Sequence, residues 1–142
     1  MRDTILARGQ VEIKKNGELI YSGSNVVVTV GYQLVATLVG ATGTKPSHMA
    51  FGDSQVPTTV GMTALQGTEF ERVGFDSTVV TGANITYTAT FGTGLVSAAI
   101  CNEVGLFNAA TAGTMLARFL TTTFTINPSD TVVVTWTVSF GE

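Results

Sequence analysis

The chain has 142 residues, 44% of them hydrophobic and only 12% charged, with a formal net charge of −3 at pH 7. That length supports one domain, residues 1–142, with a core of its own, and leaves two full domains cramped. The basic residues are scattered apart from Lys14-Lys15, so no patch able to neutralise a nucleic-acid backbone is visible and direct nucleic-acid contact is not expected.

The 24 threonines and 16 glycines favour strands and turns respectively. Cys101 stands alone, which excludes an internal disulfide framework and a cysteine-rich metal site, and is expected as a small core residue. The amino terminus carries Arg2, Asp3 and Arg8 without a long apolar run, so neither a secretory signal nor a membrane anchor is expected, and residues 26–30 are too short to cross a bilayer. The expectation is synthesis in the cytoplasm.

Residues 10–14 alternate, with Val11 and Ile13 on one side. Asn16-Gly17 follows, and Leu19 and Tyr21 then share a face with Ile20 opposite, which predicts a tight hairpin. Ser24-Asn25 punctuates the chain before the valines of residues 26–30. From Gly31, Leu34, Val35, Leu38 and Val39 fall at helical intervals until Gly40, which predicts one short helix. His48 to Phe51 reads as a brief strand stopping at Gly52, and residues 53–62, with Pro57, Thr58, Thr59 and Gly61, as an exposed loop. Residues 65–73 place Glu69, Glu71 and Arg72 among hydrophobic residues, as in a partly exposed strand or an extended segment crossing an edge.

Ile85, Tyr87, Ala89 and Phe91 alternate with threonines and predict a strong strand. Residues 95–100 and 104–107 read as two short strands around Cys101, Asn102 and Glu103, followed by an Ala/Thr/Gly turn at 108–113. Residues 115–126 form another extended segment, ended by Asn127-Pro128-Ser129-Asp130. A last hairpin strand, residues 131–140, turns Val132, Val134, Trp136, Val138 and Phe140 to one face and hydroxyls with Val133 to the other. The whole predicts an all-β chain, an antiparallel β-sandwich or open barrel with one short helix, with Trp136, Tyr87, Phe91 and Phe140 in a common core.

Reactive chemistry is sparse. On a regular strand Glu69 and Glu71 would share a side with Arg72 facing away, and Arg118 could approach either carboxylate after folding. The group predicts an ordinary solvated edge first and an interface or structural ion pair second, not an acid–base pair. His48, the single histidine, lies near Asp53 in sequence but has no assigned nucleophile, and two candidate ligands do not define a metal site. Gly92-Thr93-Gly94 is a fragment of a nucleotide motif without its remaining glycines, helix or lysine. No cofactor is expected, and the chain reads as non-enzymatic.

The segment from Asn25 to Leu38, then His48-Met49-Ala50-Phe51-Gly52-Asp53, then Thr63-Ala64-Leu65 with Glu69 and Arg72, resembles small structural proteins of tailed bacteriophages. Glu103-Val104-Gly105-Leu106-Phe107-Asn108-Ala109, continuing through Gly113-Thr114-Met115-Leu116-Ala117-Arg118, is similar to a segment common near attachment regions of tail-fibre and baseplate-associated proteins. The resemblance covers most of residues 25–140. It implies a virion component, a tail, neck or fibre-attachment module that is homo-oligomeric, with a trimer as one form, and contacts other virion proteins. The alternative it leaves open is a capsid decoration or cement protein. Asp53, Pro57 and Met62 in the exposed loop, and Glu103, Leu106 and Phe107 in the later run, are the expected intersubunit contacts. Glu69, Glu71, Arg72 and Arg118 are expected to influence assembly or local stability.

Overall fold

The computed structural model describes residues 7–141, so the readings at Arg2 and Asp3 lie outside the described residues. Strand β1 (Ala7–Lys15) turns through Asn16 and Gly17 into β2 (Glu18–Val27). Both turn residues have positive φ, 53° and 84°, the geometry that matches a two-residue connection to the twist of its strands. A bulge corrects the expected facing: Ile13 pairs with Tyr21, but Lys14 pairs with Leu19, leaving Ile20 extra. Tyr21 therefore packs against the core while Leu19 is exposed.

Helix α1 (Thr29–Val39) starts without a side-chain cap, and the Thr29 N–H instead donates to the Val60 carbonyl at 2.7 Å. This loop carbonyl takes one of the donors that every helix leaves unpaired at its start. Strands β3 (His48–Gly52), β4 (Glu69–Gly74), β5 (Ser77–Thr81), β6 (Asn84–Phe91), β7 (Ala99–Phe107), β8 (Met115–Ile126) and β9 (Val132–Phe140) complete the fold. The two short strands expected around Cys101 are one strand, β7. A bulge beside Asn102, where Cys101 pairs with Phe124 and Glu103 with Leu120, lets Cys101 and Val104 both reach the core.

Among the described residues nine strands form one antiparallel sheet in the order β4-β3-β7-β8-β2-β1-β9-β6-β5, curled into a half-barrel. Of the two architectures expected, this is the open barrel. The last strand does not form a hairpin with its predecessor: β9 lies between β1 and β6, and eight register pairs from Asn84↔Ser139 to Phe91↔Val132 match its valine face to Ile85, Tyr87, Ala89 and Phe91. Trp136, Tyr87 and Phe91 are buried in the main core, with Phe140 packed at its margin. The Trp136 ring meets Phe119 edge-on at 4.9 Å, and its Nε1–H donates to Asn25 Oδ1 at 3.1 Å. Burial pushes the Tyr87 hydroxyl and the Cys101 thiol up to about 12. Among the described residues no helix is long and apolar enough to cross a membrane.

Candidate functional site

In the β4-β3-β7-β8 half of the sheet, β3, β7 and the start of β8 are buried on both faces. Val104 and Leu106 of β7 point into the main core, and the intervening Glu103, Gly105 and Phe107 point the other way. On that second side Phe107 joins Val28, Ala50 and Met115 in a smaller cluster, with Met62 and Leu65 packed against it. The long connection of residues 53–68 covers this face.

Its anchor is a charged pair with no exposed surface. Arg118 Nε donates to Glu103 Oε1 at 2.9 Å, and both side chains are 0% exposed. Such a pair is tolerated only where further hydrogen bonds replace the lost water. Here the loop supplies them: Gln66 N–H donates to Oε1, and the Ser54 and Gly67 N–H groups donate to Oε2, at 2.8–3.0 Å. From Arg118, Nη1 donates to the Val56 carbonyl at 2.9 Å and Thr58 Oγ1 at 2.7 Å, while Nη2 has no partner. A Cβ at Gly67 would fall 2.2 Å from Asp53 Oδ1, so only glycine lets the loop close on the carboxylates. Asp53 Oδ1 accepts from Thr68 N–H at 2.8 Å, and the Asp53 carbonyl accepts from Asn102 Nδ2 at 2.9 Å. One buried ion pair thus sets the path of the whole loop.

Glu69 and Glu71 do not share a side. Phe51 pairs with Glu71 and Gly52 with Glu69, so Phe70 is bulged and the alternation slips by one. Glu69 and Arg72 consequently lie together in a two-pronged ion pair, Nη2 to Oε1 at 2.8 Å and Nε to Oε2 at 3.1 Å. The Arg72 guanidinium also lies 3.9 Å over the Phe107 ring and donates through Nη1 to the carbonyls of Ala109 and Ala112. Glu71 faces the opposite way, where each of its oxygens accepts an N–H at 2.7 Å, from Gly92 and from Gly94. The glycine triplet is therefore an anion cradle filled by the protein's own carboxylate. That role was missed because the two segments are distant in sequence.

His48 and Asp53 sit at opposite ends of β3, and the His48 Nδ1 is hydrogen-bonded to its neighbour Ser47 Oγ at 2.7 Å. Among the described residues no group of three or more histidine, cysteine, aspartate or glutamate side chains is placed to hold a metal. Glu103, Leu106, Phe107 and Arg118 are not surface groups: all four are buried beneath residues 53–68 or in the main core. Of the expected contact residues, Pro57 is exposed, Asp53 and Met62 are half-buried, and Val56 and Val60 beside Pro57 stand out into solvent. No family model, curated protein or solved structure matches the chain.

Proposed function

We propose that the chain is a non-enzymatic structural protein of a tailed-phage virion, a tail, neck or fibre-attachment component that works by presenting a rigid loop to neighbouring subunits. The observation that carries the scaffold part of this reading is the use to which its acids and bases are put. Glu103 with Arg118, Glu69 with Arg72, and Glu71 with two backbone amides are each engaged within the chain, and together they brace residues 53–68 and the turns beside them. Catalytic groups must remain available to a substrate. These instead hold a surface in one shape, and what that surface shows outward is Val56, Pro57 and Val60 among hydroxyls. A protein-recognition patch has this make-up, apolar at its middle and polar around it. The phage setting rests on the resemblance along residues 25–140.

Locating the chain in intact particles by cryo-electron microscopy tests the reading. Density at the tail, neck or fibre base is expected. Density on the capsid surface would move the protein to the decoration or cement role, and absence from purified particles would overturn both. Hydrogen exchange adds a residue-level test: amides of residues 53–62 should gain protection between free protein and assembled particle, and equal protection in the two would remove the loop from the interface.

A further inference from the structure

The two ends of the curled sheet are finished differently. The β4 edge carries Glu69, Glu71 and Arg72 and is broken by the bulge at Phe70, devices that prevent strands of other chains from adding to a sheet. The β5 edge has none of them. Ser77, Thr78, Val79, Val80 and Thr81 contain no charge, no proline and no bulge, and all five are exposed, Val79 by 53% and Val80 by 68%. Among the described residues β5 pairs only with β6, so the backbone groups along its outer side lack a strand partner.

An apolar groove opens beside this edge. Thr78 and Val80 line one part of about 380 Å³ together with Leu38, Pro46, Ile85 and Tyr87, with Lys45 as its one charged member. A second part of about 360 Å³ continues from Leu38 and Pro46 along the helix to Val39 and across to Phe140. Val39, at the helix end, is 86% exposed. An unpaired edge demands an extended chain, because only a strand supplies donors and acceptors at the matching interval.

We infer that β5 is a pairing edge for β5 of a second copy of this chain, joined antiparallel about a two-fold axis through Val79. In that register Ser77 faces Thr81, Thr78 faces Val80, and Val79 faces its own counterpart. The strand is its own complement, with β-branched residues opposite one another at its three central positions and no charged residue within it. Each Val80 then continues the partner's apolar groove, and the two half-barrels share one uninterrupted sheet. This dimer goes beyond the virion reading and does not depend on it, since it concerns the isolated protein.

The test is sedimentation of the purified chain over a concentration series, with Val79→Lys and Val79→Thr beside it. Dimer formation by the parent chain is expected. Val79→Lys sets two ammonium groups against each other at the axis and should weaken association at least about tenfold, whereas Val79→Thr keeps shape and neutrality and should stay close to the parent. Far-UV circular dichroism and tryptophan fluorescence confirm that both variants fold. Hydrogen exchange should show protection of residues 77–81 rising with concentration while β4 stays constant. A parent chain that remains monomeric up to its solubility limit, or a dimer indifferent to Val79→Lys, overturns the proposal without touching the virion assignment, which particle localisation decides.

Discussion

In the β2-β1-β9-β6-β5 half of the sheet, strands such as β1 and β9 bury every second residue and turn hydroxyls or charges outward. In the β4-β3-β7-β8 half, β3 and β7 are buried almost throughout, because residues 53–68 lie across the face that would otherwise meet solvent. The first half is stabilised by non-directional burial of valines and aromatic rings. The second adds a charged pair whose stability depends on several hydrogen bonds being made together. The first should yield gradually to substitution, and the second through one or two residues.

The largest effect is expected at Glu103 and Arg118. Arg118→Leu leaves a buried carboxylate without its cation and should cost about 3–5 kcal/mol. Glu103→Leu should cost at least as much, since it removes the acceptor of three loop amides as well as the partner of a guanidinium that already has an unpaired Nη2. Replacing both by leucine often rescues a buried ion pair, but here it should not, because the Ser54, Gln66 and Gly67 amides would still lack their acceptor. Denaturant unfolding of the three variants, with hydrogen exchange at those amides, checks this. Full recovery in the double variant would mean that the loop does not rely on the carboxylate.

Trp136→Ala is the matching test of the other half. It empties the centre of the main core and strands Asn25, whose Nδ2 has no partner. A cost of about 3–5 kcal/mol is expected, with no loss of loop protection at residues 53–68. Equal loosening of the loop amides in native-state exchange would show that the two halves open as one unit.

The same difference decides what could be read from the sequence. Period-two alternation identified β6 and β9 closely, and Asn16-Gly17 marked its turn, because each signal is local. Strand order was not legible: β9 joins β1 across more than a hundred residues and shares no hairpin with β8. Bulges at Ile20 and Phe70, and the irregular pairing that sets Asn102 against residues 121–123 of β8, break the alternation of side chains, which alternation alone does not foresee. Short β5 has a free edge and no buried residue, hence no hydrophobic period to detect. At the candidate site, Arg118 is expected beside Glu69 or Glu71 but pairs with Glu103, a partner legible only once β7 and β8 lie side by side. The continuous burial of Glu103 through Phe107 suited a contact surface as well as it suited a covered strand.

Two carboxylates two residues apart offer a smaller contrast. Glu71→Ala withdraws the acceptor from the Gly92 and Gly94 amides and should cost about 1–3 kcal/mol. Glu69 is more open, with its side chain 37% exposed, and Glu69→Ala should cost only about 0–1 kcal/mol. Arg72 retains the Phe107 ring and two carbonyls in that variant. Unfolding midpoints measured side by side give the ranking. The reverse order would mean that the Glu69–Arg72 pair, and not the glycine cradle, fastens the β4 edge.

The smallest effect lies at the rim of the alternating half, where Asp130 joins two turns. Its Oδ2 accepts the Asn127 N–H at 2.9 Å, its Oδ1 accepts from Asn16 Nδ2 at 3.0 Å, and Lys15 Nζ stands 3.5 Å away. The Asn127 backbone bond above all, then the Asn16 side chain, hold the carboxyl down at about 2. An unfolded chain binds that proton near the ordinary aspartate value of about 3.9. Because the folded value is the lower one, the contribution is fully present above the unfolded value and disappears as pH falls through the folded one. Asp130→Ala should therefore be less stable than the parent at neutral pH, and the gap should close between about pH 4 and pH 2. Urea unfolding of both proteins across that range measures it, with the carboxyl carbon shift of Asp130 reporting its protonation directly. A gap that persists undiminished at the acid end would show that the side chain's packing, and not its charge, ties the Asn16 turn to the start of β9.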